Sequence, residues 1–206
     1  MIVKICGITN LSDALAAVEA GADALGFNFY RHSPRYVAPD EARRIVAELP
    51  QAVMKVGVFV NEGEPEEVAR VADEVGLTAV QLHGDESPEY CRALRGRFVI
   101  KAVRARSDFE PESVSTYEAD AILLDAFSEK ERGGTGRVVD WGVARRVREL
   151  VPRLFLAGGL APENVAAAVA AVAPFAVDAC SLLESAPGRK DPKRVRAFVA
   201  AARVKP

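Results

Sequence analysis

The feature that most restricts the fold of this chain is a repeated alternation of short, β-rich apolar runs with segments in which apolar residues recur at helical spacing. This alternation is typical of a parallel α/β sheet, in which a helix connects each strand to the next. The predicted strands are Ile2–Cys6, Ala24–Phe27, Val53–Phe59, Ala79–Leu82, Phe98–Ala102, Ala121–Leu124, Leu154–Ala157 and Ala176–Asp178. Because these runs are continuously apolar, we expect the sheet to be buried on both faces.

Residues that commonly begin helices precede most of the amphipathic segments. They occur at Asn10/Ser12, Pro39-Asp40, Ser87-Pro88-Glu89, Asp140, Pro162-Glu163 and Asp191-Pro192. The fifth unit differs, because Asp108–Tyr117 contains Pro111 and several β-branched or serine residues. A short or irregular helix is therefore predicted there.

The number of strand-helix units separates two α/β architectures. Eight units in 206 residues leave about 26 residues for each, which suits the short end of the (β/α)8 TIM-barrel range. The alternative is an open, doubly wound sheet. We favour the barrel because no G-x-G-x-x-G turn follows the first strand and polar residues follow nearly every strand. No Ser/Gly-rich or Pro-rich linker interrupts the chain, so a single domain over residues 1–206 is expected.

Composition argues against some partners and compartments. The formal charge of -2 and the absence of a separate Lys/Arg block predict no nucleic-acid partner. No apolar run approaches the roughly 20 residues that span a bilayer, so no membrane association is expected. The cysteines Cys6, Cys91 and Cys180 are odd in number and widely spaced, and no signal sequence precedes the first strand. These features predict a reduced, cytoplasmic protein.

Three residues with proton-transfer chemistry lie where predicted strands end, and in a barrel those ends meet at one mouth. Cys6 ends the first strand beside Gly7, and Asp125 follows three apolar residues that favour the protonated form of its carboxyl group. His83 follows the fourth strand. The alternatives are an inert buried thiol for Cys6, a helix cap or loop ion pair for Asp125, and a core or loop histidine for His83. A base and an acid on opposite walls would suit an isomerisation that moves a proton.

Two loops have features of a phosphate site. Gly158 and Gly159 follow the seventh strand and would expose backbone N–H groups, and Asp178 and Ser181 lie at the end of the eighth strand. Paired glycines also mark ordinary turns. A third loop, Gly133-Gly134-Thr135-Gly136-Arg137, is interpreted as a glycine-rich lid, a phosphate cradle or a flexible surface loop.

Arg35 is a candidate for binding a carboxylate. It lies in Ser33-Pro34-Arg35-Tyr36-Val37 after the second strand, beside a rigid turn. A guanidinium group binds a carboxylate through two parallel hydrogen bonds. The alternative is an ordinary surface arginine.

Taken together, these motifs resemble the phosphoribosylanthranilate isomerase family. They occur in the family's order from residue 3 to about residue 194, and the ordered set is far more specific than any member. The motifs are Lys4-Ile5-Cys6-Gly7-Ile8-Thr9, Ser33-Pro34-Arg35-Tyr36-Val37, Gln81-Leu82-His83-Gly84, Leu124-Asp125, Gly133-Gly134-Thr135-Gly136 with Asp140-Trp141, Ala157-Gly158-Gly159-Leu160 and Pro187-Gly188-Arg189-Lys190-Asp191.

The resemblance implies an aldose-ketose isomerase that performs an Amadori rearrangement of N-(5-phosphoribosyl)anthranilate in tryptophan synthesis. It implies that Cys6 is the general base and Asp125 the general acid, and that Arg35 holds the anthranilate carboxylate. By the same resemblance, the loops carrying Gly158, Gly159 and Ser181 hold the phosphate. It implies no metal and no organic cofactor, a sugar-phosphate substrate as partner, and either a monomer or a homodimer.

The chain departs from the family pattern after the eighth strand. Where the family commonly has Ser-Ser-Gly-Val-Glu, this chain has Cys180-Ser181-Leu182-Leu183-Glu184. A cysteine thiol is a weaker donor than a serine hydroxyl, and Leu182 needs a backbone conformation that is open to a side chain. A local difference in the phosphate loop is therefore expected.

Two alternative functions remain at this point. One is the histidine-pathway isomerase, which performs the same rearrangement on the same barrel with two aspartates and a twofold repeat. Here Cys6 stands on the first strand, and the loop after the third strand does not repeat the Gly158-Gly159 loop. The other is a non-catalytic sugar-phosphate sensor, since fold does not fix function.

Overall fold

The structure is a computed structural model that describes residues 1–106, 108–126 and 140–204, with only the backbone of Ala126. Within these ranges eight parallel strands pair in sequence order and close, β8 against β1, into a barrel. They are β1 Ile2–Cys6, β2 Ala24–Asn28, β3 Met54–Phe59, β4 Ala79–Leu82, β5 Phe98–Ala105, β6 Ala121–Ala126, β7 Leu154–Leu156 and β8 Ala176–Ala179. The predicted TIM barrel is confirmed, and the open sheet is wrong. That all 206 residues form one domain stays a prediction.

The strand bounds agree closely with those predicted from the apolar runs. The largest difference is β5, which continues to Ala105 rather than ending at Ala102. Its pairing with β6 explains the extension, because the parallel register continues through Arg104 opposite Asp125 and Ala105 opposite Ala126. Polar residues at a strand end therefore join the sheet where a neighbouring strand offers hydrogen bonds.

The helices lie outside the barrel. They are α1 Leu11–Glu19, α2 Pro39–Ala47, α3 Pro65–Val75, α4 Pro88–Ala93, α5 Trp141–Leu150, α6 Val165–Val172 and α7 Pro192–Ala202, and 3-10 helices span Pro111–Thr116 and Ser181–Leu183. The 3-10 helix at Pro111 confirms the irregular fifth unit. Side-chain caps at Asn10, Ser87, Asp140 and Asp191 accept backbone N–H bonds as predicted.

One predicted helix start is wrong. The motif Pro162-Glu163 was expected to open a helix, but α6 begins at Val165. Asn164 explains the delay, because its side chain bridges the preceding turn: Oδ1 accepts from the backbone N–H of Ala161 at 2.8 Å, and Nδ2 donates to the carbonyl of Gly159 at 2.8 Å. These bonds stabilise the loop that follows β7.

The core has two layers. The larger lies between the barrel and its helices, and a smaller interior cluster fills the lower part of the barrel. Leu123, Phe155 and Ala176 belong to the interior cluster. Since side chains alternate between the two faces of a strand, residues two positions further along point to the same interior side.

A short hairpin, β9 Glu184–Ala186 with β10 Arg189–Lys190, follows the barrel. The Thr9 hydroxyl donates to the carbonyl of Gly188 at 2.6 Å, and the Asp13 carboxylate accepts the backbone N–H of Lys190 at 2.8 Å. The hairpin is thereby held against the loop that follows β1. In the described part of the chain, no helix combines the length and the hydrophobicity needed to cross a bilayer.

Candidate active site

The alternation of side chains brings three predicted residues to the mouth of the barrel. Leu123 lies in the interior cluster, so Asp125 two residues later faces the same side. Ile2 packs against the interior cluster, so Cys6, four residues later on β1, faces the same side. His83 directly follows β4, and its ring lies next to Asp125. The structure therefore gathers the sulfur, the imidazole and the carboxyl group on one side of the sheet.

His83 contacts Asp125. Its Nε2 lies 3.4 Å from Oδ2 of Asp125, within ion-pair distance but outside hydrogen-bond geometry, and both side chains are largely buried. Gln81 Nε2 lies 2.8 Å from His83 Nδ1, and the backbone N–H of His83 donates to the carbonyl of Phe59 at 2.8 Å. His83 thus lies in the loop directly after β4, with its ring next to the predicted acid, and its role stays a prediction.

Lys4 and Asp178 form a buried ion pair beneath the mouth. Lys4 Nζ lies 2.9 Å from Asp178 Oδ1, with the lysine side chain fully inaccessible to solvent. Burial opposes the charge of Lys4, but the charges of Asp178 and Cys6 outweigh it and raise the pKa of Lys4. Burial, assisted by the charges of Cys6 and Asp125, raises the pKa of Asp178 to about 7 even though Lys4 opposes the shift. Asp178 therefore connects the two predicted catalytic groups electrostatically.

The thiol of Cys6 lies in an environment that favours its thiolate. A hydrogen bond with the thiol of Cys180 lowers the pKa of Cys6 well below its ordinary value; burial opposes the shift, and the charges of Lys4 and Lys190 assist it. The same hydrogen bond, together with burial, raises the pKa of Cys180 well above its ordinary value. We therefore assign the negative charge of the pair to Cys6. The inert-thiol interpretation of Cys6 does not fit these surroundings.

Glycines make room for the two sulfur atoms. A methyl group at Gly26 would lie 2.6 Å from Cys6 Sγ, and one at Gly7 would lie 2.8 Å from Cys180 Sγ and 2.9 Å from the Cδ atom of Arg35. Gly7 also has φ of +76°, a conformation that side chains rarely adopt. The close packing of Cys6, Cys180 and Arg35 therefore depends on these two glycines.

Arg35 is held by the hairpin. Its Nε and Nη2 atoms donate to the Glu184 carboxylate at 2.9 to 3.1 Å, and Lys190 Nζ donates to the same carboxylate at 2.9 Å. The side chain of Arg35 is only 12% exposed, so the surface-arginine alternative is wrong. Nη1 takes no part in the pair with Glu184, which leaves one edge of the guanidinium to meet a ligand.

The two predicted phosphate loops have definite backbone conformations. Gly158 and Gly159 have φ of +80° and +66°, so both need the freedom of glycine. Ser181 begins the 3-10 helix after β8. Leu182 lies inside that helix and is not among the described non-glycine residues with positive φ; its carbonyl accepts from Arg194 Nε at 2.6 Å. A leucine is thus accommodated where the family commonly has glycine.

Comparison with known proteins identifies the family. The model of N-(5'phosphoribosyl)anthranilate (PRA) isomerase matches residues 3–201. The chain belongs to the phosphoribosylanthranilate isomerase family. Among its relatives, N-(5'-phosphoribosyl)anthranilate isomerase of Citrifermentans bemidjiense is 54% identical, over 98% of this chain and 96% of the relative.

Solved structures of phosphoribosylanthranilate isomerases share the architecture. The enzyme from Thermotoga maritima gives a TM-score of 0.91 at 49% identity, covering 98% of each chain. A second structure, in complex with reduced 1-(o-carboxyphenylamino)-1-deoxyribulose 5-phosphate, gives a TM-score of 0.88 at 48% identity with the same coverage. Membership in this family makes the chain an aldose-ketose isomerase. It decides against both the histidine-pathway isomerase and the non-catalytic sensor.

Several polar residues of this isomerase site were not singled out from the sequence. They are Lys4, Glu184 and Lys190, which surround Cys6 and Arg35. Lys4 could have been predicted from the sequence, because a lysine inside an otherwise apolar strand needs a charged or polar partner when it is buried.

The predicted glycine-rich loop Gly133-Gly134-Thr135-Gly136-Arg137 lies outside the described residues. Within the described residues, no three His, Cys, Asp or Glu side chains are grouped to hold a metal ion.

Proposed function

We propose that this isomerase converts N-(5-phosphoribosyl)anthranilate into 1-(2-carboxyphenylamino)-1-deoxyribulose 5-phosphate in tryptophan biosynthesis, with Asp125 as general acid and Cys6 as general base. Family membership supports the overall reaction. The assignment of the two catalytic residues rests on their chemistry and on their shared position at the barrel mouth.

Asp125 opens the sugar ring. Its carboxyl proton passes to the furanose ring oxygen while the bond between that oxygen and C1 breaks, and the anilino nitrogen supplies electrons to form an iminium ion. Asp125 is 5% exposed and lies against His83, so its carboxyl group is held in a largely dry site. A buried acid aimed at a leaving oxygen is suited to this step.

Cys6 then removes the proton from C2. The electrons of the C2–H bond form a C1=C2 double bond and neutralise the iminium, giving an enolamine. Protonation at C1 and loss of the C2 hydroxyl proton produce the ketone. The base must be a thiolate, and the lowered pKa of Cys6 favours that form.

The remaining predicted residues surround the reacting atoms. Arg35 offers its free guanidinium edge to the anthranilate carboxylate, and the loops carrying Gly158, Gly159 and Ser181 bind the phosphate. His83 orients Asp125 and faces the substrate. Asp178 is engaged with Lys4, so its role in this proposal is electrostatic, beneath the substrate.

The observation that carries the proposal is that Cys6 ends β1 at the same mouth as Asp125, two residues after the buried Lys4–Asp178 ion pair. The test uses freshly made substrate labelled with 13C at sugar C2. Turnover should move the C2 signal from the alcohol region to the ketone region, because the phosphorylated 5-hydroxyl cannot close a hemiketal ring. Binding of the substrate without this movement would refute the proposed activity.

The proposal also covers the cellular compartment and the oligomeric state of the protein. The three cysteines are unpaired thiols, which supports the predicted cytoplasmic compartment. A relative from Thermotoga maritima is dimeric, and monomers have been generated from it. For this chain, monomer and homodimer both stay open, and gel filtration with light scattering distinguishes them.

A further inference from the structure

Cys6 ends β1, and Cys180 directly follows β8, the strand that pairs with β1. The register of β1 with β8 runs through Lys4 opposite Asp178 and Ile5 opposite Ala179, so the next step places Cys6 opposite Cys180. Neighbouring strands lie about 4.8 Å apart, and disulfides join residues whose Cα atoms are about 4.4–6.8 Å apart. The backbone spacing therefore suits a disulfide bond.

The two cysteines lie near the same ion pair. Lys4 and Asp178 meet inside the barrel at 2.9 Å; Cys6 ends β1 two residues after Lys4, and Cys180 directly follows β8, two residues after Asp178. Since side chains on a strand alternate, Cys6 shares the face of that ion pair. The sulfur of Cys180 lies against Gly7, the chain neighbour of Cys6, because a methyl group at Gly7 would lie 2.8 Å from Cys180 Sγ. Both cysteines are partly exposed to solvent.

We propose that hydrogen peroxide oxidises Cys6 and Cys180 to an intramolecular disulfide that dithiothreitol reverses. In the first step, the Cys6 thiolate attacks one peroxide oxygen, the O–O bond breaks, and the departing hydroxide takes a proton to become water. Cys6 is then a sulfenic acid.

In the second step, the sulfur of Cys180 attacks the sulfur of Cys6. The S–S bond forms as the S–O bond breaks, and the hydroxide leaves as a second water with the proton of Cys180. Overall, two thiols lose two electrons and peroxide is reduced to water. Lys190 Nζ lies 3.7 Å from Cys180 Sγ, where its positive charge assists the loss of the Cys180 proton during the attack.

The third cysteine provides a control. Cys91 lies in α4, is fully buried in the outer core, and burial raises the pKa of its thiol to about 11. A buried thiol of this kind reacts slowly with oxidants. Cys91→Ala should therefore oxidise as the wild type does.

The disulfide does not depend on the proposed function, but its effect on turnover does: oxidation would remove the thiolate that acts as base. The experiment treats the reduced full-length protein with hydrogen peroxide, blocks remaining thiols with maleimide and measures intact mass, a peptide map and isomerase activity before and after dithiothreitol. The wild type should lose two hydrogens, yield a Cys6–Cys180 cross-linked peptide within a monomeric mass, and lose activity that dithiothreitol restores.

The variant Cys180→Ser removes the resolving thiol. Compared with its own activity before treatment, it should lose activity to oxygen addition at Cys6, with a fraction that dithiothreitol does not restore, because sulfinic acid is not reduced by thiols. Oxygen addition at Cys6 of the wild type without the cross-linked peptide would overturn the inference. A cross-link that leaves turnover unchanged would support the disulfide and refute Cys6 as the base. Failure of the disulfide proposal is therefore distinguishable from failure of the proposed function.

Discussion

His83 Nε2 lies 3.4 Å from Asp125 Oδ2, so the loop after β4 reaches the end of β6 across the intervening strand β5. Gln81 contacts the other ring nitrogen of His83 at 2.8 Å and limits the rotation of the imidazole. These contacts place the imidazole beside the carboxyl group of Asp125 at the barrel mouth, where the proposed ring-opening step takes place.

Replacement of Asp125 by Asn should therefore abolish most turnover. The substitution keeps the shape of the side chain and removes the transferable proton, so we expect kcat to fall by about a hundredfold or more. Binding of a phosphate-bearing analogue, measured by calorimetry, should change little. Near-normal kcat with the wild-type pH profile would place the acid on a different residue.

Loss of the Cys180 thiol should move the pH at which Cys6 becomes reactive. The donor thiol is the largest cause of the lowered pKa of Cys6, so Cys180→Ala should raise that pKa, and the thiolate should appear only at higher pH. Cys180→Ser keeps a donor and serves as the control. The rate of iodoacetamide alkylation at Cys6, followed by peptide mass against pH, measures the midpoint. An identical midpoint in the alanine variant and the wild type would contradict the account.

Gly26→Ala should impair catalysis by displacing the sulfur of Cys6. The added methyl group would lie 2.6 Å from Sγ and 3.1 Å from Cα of Cys6, and displacement of a reacting group by about 1 Å costs up to a hundredfold. We expect kcat to fall at least about tenfold. Gly63→Ala is the matched control, since its methyl group would meet only Glu67 Oε2 at 3.7 Å. Equal kcat values for the two variants would show that Gly26 does not position Cys6.

Arg35→Lys should weaken binding of the reduced product analogue. Lysine keeps the charge but loses the planar group that bonds Glu184 and the ligand together, so we expect a loss of roughly 1–3 kcal/mol in binding free energy. Arg44→Lys, at an exposed position of α2, should have no effect. Unchanged calorimetric affinity for Arg35→Lys would remove Arg35 from the binding site.

The fold was predictable from the sequence because each strand is a local apolar run. Residues at the strand ends were predictable as neighbours because these ends meet at one mouth of the barrel. The position of Cys6, His83 and Asp125 at the mouth follows from this pattern, and their roles stay predictions. The ion pairs of the site were not, because Lys4 and Asp178 are 174 residues apart in the chain and local patterns do not show which charges meet when a barrel closes. The Arg35–Glu184 pair depends likewise on a hairpin that folds back over the loop after β1.

In the proposed mechanism the Cys6 thiolate removes the C2 proton. The kcat of Cys6→Ser on freshly made N-(5-phosphoribosyl)anthranilate tests this step. A serine hydroxyl has nearly the same size but is far too weakly acidic to act as an anionic base near neutral pH. We expect kcat to fall at least about a hundredfold while the affinity for the reduced product analogue changes little. A Cys6→Ser variant that retains most of the wild-type kcat would contradict it.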